Sequence, residues 1–250
     1  MKNPKSILIT GASSGIGEAL AREYAAPGVT LHLSGRNQER LNAVKTDCEA
    51  RSATVHTQII DVTDENSMSD WILGCGALDL VIANAGVSSS INAAESIADH
   101  TKSVFDINVG GVFNTVHPAI ESMKPHGHGQ VAIVSSVAGF RGLPSSPAYS
   151  TSKVTVRAYG EALRGYYHAY GLEINVICPG FVRSRLTDNN KFKMPFFMEA
   201  DRAAKIIRSG LANNKANIMF PWQMRILTFA ARRLLPEFIL ERMLRRLPKK

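Results

Sequence analysis

The sequence predicts an α/β fold: a single domain on a doubly wound parallel sheet of about seven strands, flanked by helices and extended by amphipathic C-terminal helices. Three observations predict it. Strand-like and helix-like runs alternate along the 250 residues, the pattern of βαβ units. The strand-like runs are rich in Val, Ile and Leu with little polar alternation, as expected of strands covered on both faces. A glycine-rich turn, Gly11 to Gly17, joins the first strand to the first helix.

The elements follow in order. Ser6-Ile7-Leu8-Ile9-Thr10 is a short apolar strand, and Gly15 to Ala26 reads as a helix. Val29 to Ser34 is the second strand and Asn37 to Ala50 a polar helix. Ala53 to Ile60 and Asp64 to Leu73 form the next strand and helix. Leu78 to Asn84 is a buried strand, followed by a long helical stretch over Asp99 to Met123. Gln130 to Ser135 is a strand, Pro147 to Tyr170 a helix, and Glu173 to Cys178 a strand. Glu199 to Leu211 is a helix, and Asn217 to Phe220 a last short strand. No repeat, low-complexity tract or linker divides residues 1–250, so one domain is expected.

Composition excludes several classes. The chain is 45% hydrophobic and 20% charged, which is enough apolar material for a sizeable core. No uncharged apolar run of about 18 residues predicts a membrane-spanning helix. Met1-Lys2-Asn3-Pro4-Lys5 leads directly into the first strand, and no signal peptide is expected before it. Cys48, Cys75 and Cys178 form no CxxC pair, which disfavours disulfides and structural zinc and favours a reducing cytoplasmic compartment. His126-Gly127-His128 lies in a Pro/Gly turn with no third ligand in view and reads as a solvated loop, so no metal is expected.

The net charge of +8 is unevenly spread. Residues 1–182 carry 13 Lys and Arg against 16 Asp and Glu, a net −3. Residues 183–221 carry 8 against 3, and residues 222–250 carry 8 against 2. The basic excess therefore lies in the last 68 residues. A uniformly basic nucleic-acid surface is excluded, and no aromatic–basic interleaving suggests nucleic acid as a partner.

Thr10-Gly11-Ala12-Ser13-Ser14-Gly15-Ile16-Gly17 follows the first strand and opens the first helix. Glycines here permit a tight turn and let the backbone approach a pyrophosphate, which the helix N-terminus then holds. A glycine-rich turn by itself is also an ordinary turn; its place between a strand and a helix makes the anion site the stronger reading. The second strand ends Ser34-Gly35-Arg36-Asn37. A carboxylate there would bond both ribose hydroxyls of NAD. Gly35 instead leaves space, and Arg36 can make a charge-assisted contact with a 2′-phosphate. This favours NADP(H) with NAD(H) still possible; a solvated arginine opening a helix is the alternative.

TGASSGIG, the Asn84-Ala85-Gly86 turn, Ser136, Tyr149-Ser150-Thr151-Ser152-Lys153 and Pro179-Gly180 occur in the order and at the intervals of the short-chain dehydrogenase/reductase family, which the chain resembles over residues 5 to about 185. The resemblance implies a Rossmann-type domain and hydride transfer between a nicotinamide and a carbonyl or alcohol. It implies Asn108, Ser136, Tyr149 and Lys153 as catalytic residues, with Asn108 supporting a water-mediated proton relay. For the cofactor it implies Gly11, Ser13, Ser14, Gly15, Ile16 and Gly17 at the phosphates, Asp61 and Val62 at adenine, and Asn84, Ala85 and Gly86 along the ribose. Tyr149 and Lys153 join this set, as do Pro179, Gly180, Val182 and Ser184 at the carboxamide, where Ser184 replaces the family's usual threonine.

The chemistry is consistent with the residues themselves. Tyr149 and Lys153 lie four apart on a helix and share a face. A free tyrosine is a poor base at neutral pH, and a nearby ammonium is expected to lower its pKa. Tyr149 then protonates the carbonyl oxygen during reduction, while the Ser136 hydroxyl holds that oxygen. A lone YxxxK is commonly a surface pair; four matching elements in order argue against that.

Residues 185–198 occupy the family's substrate-lid position. Phe192, Met194, Phe196, Phe197 and Met198 suggest a lipophilic carbonyl or alcohol substrate, unless they pack on the protein's own core. Phe140, Leu143 and Pro144 are expected to face them. Beyond Pro221-Trp222 two helical stretches are broken at Pro236. The first sets Ile226, Phe229, Ala230 and Leu234 against Arg225 and Arg232. In the second, Ile239, Leu240, Met243, Leu244 and Leu247 fall on one face, with Glu237, Glu241, Arg242, Arg245 and Arg246 mostly opposite. Three readings stay open: packing on the fold, a subunit interface, or peripheral contact with an anionic membrane. The family leads us to expect a homodimer or homotetramer through the helices at about 99–123 and 147–170. Two function classes remain: an NADP(H)-dependent oxidoreductase, or an NADP(H)-binding regulatory or scaffold protein without turnover.

Overall fold

In the computed structural model, residues 1–88, 96–188 and 194–226 are described, together with 238, 239 and 242. Seven strands form one parallel sheet: β1 (Ser6–Ile9), β2 (Thr30–Gly35), β3 (Thr54–Ile59), β4 (Leu80–Ala83), β5 (Gly129–Val134), β6 (Leu172–Pro179) and β7 (Asn217–Phe220). Their spatial order is β3-β2-β1-β4-β5-β6-β7. This is a Rossmann-like arrangement. Ile7 of β1 registers with Leu31 of β2 on one side and Leu80 of β4 on the other. The chain therefore leaves β1 outward in one direction and later returns to its other side. That reversal opens a crevice beyond the carboxyl ends of β1 and β4, where ligands of such sheets bind.

Strands β1, β2, β4, β5 and β6 are buried on both faces, which explains their near-continuous apolar sequences, whereas edge strand β3 is largely exposed. Ile7, Ile9, Leu31 and Leu33 pack against α1 (Gly15–Tyr24), α2 (Gln38–Glu49) and α8 (Ala200–Ala212) through Leu20, Leu41 and Ile207. Leu8, Val81, Val131 and Ile133 face the other way. They pack against α3 (Glu65–Gly74), α5 (Gly111–Met123) and α6 (Pro147–Tyr166) through Ile72, Val116 and Val156.

Side chains start several helices. Asn37 accepts from the Arg40 amide at 2.9 Å to open α2, and Asp64 accepts from the Ser67 amide at 3.0 Å to open α3. Ser96 accepts from the Asp99 amide at 3.1 Å and opens α4 (Ile97–Phe105). The stretch expected at 99–123 is thus α4 and α5, joined by one π-helical turn over Asp106–Gly110. The helix expected to reach Tyr170 ends as α6 at Tyr166, and a 3-10 turn, His168–Tyr170, leads to left-handed Gly171. A short α7 (Arg185–Asp188) follows β6. Cys48, Cys75 and Cys178 are free thiols. Among the described residues no helix is long and apolar enough to cross a membrane. The pattern predicted past Ile226 lies outside the described residues, except at 238, 239 and 242.

Candidate active site

A cleft of about 910 Å³ lies over the carboxyl ends of the strands. The turns after β1, β2, β4, β5 and β6 all reach it. Gly11 and Gly15 have φ of +65° and +58°, the left-handed region that glycine tolerates. A Cβ on Gly11 would stand 2.8 Å from the Ala85 Cα, and one on Gly15 would stand 2.8 Å from the Ser184 Cβ. The first turn therefore presses against both the β4 turn and the segment after β6. Thr10 and Asn84 hold it there. The Thr10 hydroxyl accepts from the amides of Asn84 and Ala85 at 3.1 and 3.2 Å, and Asn84 Nδ2 donates to the Thr10 and Gly11 carbonyls at 2.9 and 3.2 Å.

No side chain caps α1, in contrast to α2, α3 and α4. Ser13, Ser14, Gly15 and Ile16 instead face the cleft. An uncapped helix N-terminus against a cradle too tight for side chains fits a pyrophosphate. Gly17 is buried beneath this turn: its Cβ would lie 2.5 Å from both Asn84 Nδ2 and the Gly11 carbonyl oxygen. It shapes the cradle and does not line it.

At the end of β2, Ser34, Gly35, Arg36 and Asn37 line the cleft, and so does Arg40 from the first turn of α2. Ser34 is 1% exposed, and its hydroxyl has no partner in the protein; the buried Arg40 Nε has none either. Arg36 is exposed and sits 3.5 Å from the Asp61 carboxylate. Burial would raise the Asp61 pKa, but bonds from the Thr63 amide and hydroxyl, with the Arg36 charge, hold it below its ordinary value. Orphaned donors of this kind suit the phosphate oxygens of a dinucleotide, which Arg36 and Arg40 would hold beside the Asp61 carboxylate.

At the other end the cleft is lined by Ser136, Tyr149 and Lys153. Ser136 ends the β5 turn, and its hydroxyl accepts from the Ala138 amide at 3.1 Å. Lys153 is buried, and its ammonium donates to the Val134 carbonyl at 3.0 Å. Burial brings its pKa down to about 8. The Lys153 Nζ lies 5.9 Å from the Tyr149 ring centroid. Asn108 does not line the cleft. It is fully buried in the π-helical turn, where Oδ1 accepts from the Val87 amide at 2.8 Å and Nδ2 donates to the Val87 carbonyl and the Ser152 hydroxyl at 3.0 and 3.1 Å. Ser152 in turn donates to the Tyr149 carbonyl at 2.8 Å. A Cβ on Gly86 would lie 3.0 Å from Asn108 Oδ1 and 3.3 Å from Lys153 Nζ, so only glycine leaves this floor open.

The short chain dehydrogenase family profile matches residues 5–194. The chain belongs to that family. It is 36% identical over 247 residues to an uncharacterized oxidoreductase of Myxococcus xanthus, covering 97% of each chain. It is 34% identical over 191 residues to the 3beta-hydroxysteroid dehydrogenase of Mediterraneibacter gnavus, covering 74% of this chain and 69% of the other. Its fold is similar to a short-chain dehydrogenase from Sphingobium yanoikuyae solved in complex with NADPH: TM-score 0.81, 20% identity, covering 97% and 96% of the two chains. As a member of the short-chain dehydrogenase family, the protein is an NAD(P)-dependent oxidoreductase.

One expectation needs correcting. Tyr149 was expected to titrate below its ordinary value because of Lys153. In the protein alone it is raised: burial dominates, and a hydrogen bond with Ser136 only partly offsets it. Other expected positions lie around the cleft as well: Val62, Pro179, Gly180 and Val182 line it. Of the lipophilic lid residues, Met198 is buried in the core, while Phe196 and Phe197 are exposed; Phe192 lies outside the described residues. Phe140 and Leu143 line the cleft as expected; Pro144 does not. Sequence reasoning missed Thr10, Ser34, Arg40, Ser152 and Met224. Arg40 had no signal of its own, because Arg36 precedes the Asn37 cap and helical spacing does not pair the two. Met224 lines the cleft from beyond β7, where motif comparison ends.

Proposed function

We propose that the protein is an NADP(H)-dependent oxidoreductase that moves a hydride between the nicotinamide and a carbonyl or secondary alcohol of a lipophilic small molecule, with Tyr149 as general acid/base. The observation that carries this reading is the single cleft with the glycine cradle at one end and Ser136, Tyr149 and Lys153 together at the other. The nicotinamide, when bound, supplies or accepts the hydride. The chain's own residues do the rest. Ser136 donates a hydrogen bond to the substrate oxygen and fixes it beside Tyr149. Tyr149, whose proton burial holds more tightly than usual, delivers that proton to the oxygen in reduction and recovers it in oxidation. Lys153 favours the phenolate once the proton has left, and Asn108 ties the Val87 backbone to Ser152, the residue before Lys153.

NADP(H) preference is supported by Arg36, Arg40 and Ser34 at the corner where a ribose phosphate would sit, and by the absence of a carboxylate at position 35. The lipophilic substrate is supported by Phe140, Leu143, Phe181, Pro195 and Met224 around the catalytic end, and by the relative named for a hydroxysteroid. On this reading the one domain uses residues 1–182 for cofactor and catalysis, 183–221 for the lid and last strand, and 222–250 as a basic extension. It acts in the cytoplasm, membrane-peripheral where that extension reaches lipid, as a homodimer or homotetramer. The test is NADPH absorbance against a panel of ketones and aldehydes. Turnover is expected, with Tyr149→Phe lowering kcat about 100-fold or more while NADPH still binds. Undiminished turnover in Tyr149→Phe refutes the mechanism. NADPH binding without turnover of any carbonyl favours the regulatory alternative.

A further inference from the structure

The catalytic end of the cleft opens between two segments that share a composition. Pro195 and Met224 line the cleft. Each is flanked by large apolar side chains directed to solvent. Phe196 and Phe197 follow Pro195 and are 44% and 37% exposed. Trp222 and Ile226 flank Met224 in one helical turn and are 66% and 55% exposed. Positions four apart share a helix face, whereas Met224 falls on the opposite side, toward the cleft. The rim thus turns one apolar face inward and another outward. Farther along, Phe238 is 71% exposed.

The charge around these side chains is mostly basic, with one close ion pair, Arg183 to Glu199 at 2.9 Å. Arg185 lines the cleft and is exposed, and Arg225 is exposed beside Trp222 and Ile226. Arg183 lies over the Phe197 ring at 5.5 Å. Residues 183–250 carry 16 Lys and Arg against 5 Asp and Glu. Exposed tryptophan and phenylalanine set among arginines suit the boundary between acyl chains and anionic headgroups, where rings are half-desolvated and cations meet phosphate. We propose that this rim seats on an anionic lipid surface, so that a lipophilic substrate passes from the bilayer into the cleft. The proposal rests on the lipophilic-substrate reading and names the surface from which that substrate is taken.

The test is co-flotation of the full chain with vesicles of phosphatidylcholine alone or mixed with phosphatidylserine. Binding is expected to the mixed vesicles, to weaken with salt, and to fall about tenfold in the double variant Trp222→Ser/Ile226→Ser. Emission from Trp222, one of two tryptophans, is expected to shift to the blue on binding. Arg225→Glu provides a second variant should the double variant melt early. Both variants are expected to keep the wild-type rate on a water-soluble aldehyde. If no carbonyl compound is reduced by any of the proteins, the reductase reading fails while flotation still answers for the lipid surface. Three results would overturn the proposal: no binding to anionic vesicles; binding that ignores Trp222 and Ile226 and leaves the tryptophan emission unmoved; or a change in the mass of the lipid-free double variant by sedimentation, which would assign the face to a second copy of the chain.

Discussion

Replacing Lys153 with methionine should make the protein more stable and less active, by an amount that depends on pH. The ammonium is buried, and its pKa falls from 10.5 to about 8. An unfolded chain keeps this proton up to about pH 10.5, whereas the folded chain releases it above about pH 8. Between those values the unfolded state binds more protons, so wild-type stability rises with pH; below about pH 8 the folded state bears the whole cost, about 3 kcal/mol. Methionine removes that cost and fills similar space. It also leaves the Val134 carbonyl, now bonded at 3.0 Å, without its donor, a loss of about 1 kcal/mol. The variant should therefore be more stable by about 2 kcal/mol at pH 7, roughly 6 °C in melting temperature for a chain this long. By pH 9.5 the ammonium's cost falls by about 2 kcal/mol, so the two melting curves should nearly coincide. Thermal melts of cofactor-free protein across pH 7 to 9.5 provide the assay, and other titrating groups cancel in the difference. A melting-temperature gap that does not change with pH, or a variant less stable at pH 7, would refute the argument that burial, and not a charge partner, sets the Lys153 proton affinity.

Carbonyl reduction should hold through neutral pH and fall on the alkaline side, because it needs the protonated Tyr149 that burial favours; alcohol oxidation should rise with pH. Initial rates in both directions check this, and parallel profiles would contradict it. Arg36→Ala and Arg40→Ala should each raise KM for NADPH about tenfold and leave KM for NADH within about twofold, since only the former cofactor carries the phosphate. Equal losses for both cofactors would remove the phosphate role. Gly17→Ala should destabilise by about 2–3 kcal/mol in urea unfolding, because its Cβ would meet the Gly11 carbonyl and Asn84 at 2.5 Å. An unchanged midpoint would show that the cradle can yield.

What could be read in the sequence was what local periodicity and short-range chemistry specify. Alternating apolar runs determine the order of strands and helices, and Tyr149 and Lys153 could be paired because four residues make one helical turn. Gly11 and Gly15 could be read because a left-handed turn needs them. Three features required spatial information. Arg40 looks like one more charge on the polar helix α2, until β2 carries that helix start to the cleft. The π-helical turn around Asn108 has no residue pattern distinct from the helices on either side, yet it brings Asn108 within reach of Val87 and Ser152. Tyr149 was judged by its charged neighbour alone, and the sign of its shift came from burial, a property of the whole cleft.

The uneven charge follows from the same geometry. An anionic cofactor would seem to call for a basic domain, yet residues 1–182 are net acidic. The cradle resolves this: its donors are the amides of an uncapped helix start, which attract phosphate without altering formal charge, supplemented at one corner by Arg36 and Arg40. Cofactor binding therefore leaves the basic excess of residues 183–250 unused. Within that stretch Arg185 and Met224 line the cleft. Cations there act on whatever approaches the mouth of the cleft and not on the dinucleotide held within. Removing them by charge reversal at Arg225 should leave KM for NADPH unchanged while reducing adhesion to anionic vesicles, a separation that a uniformly basic cofactor site would not allow.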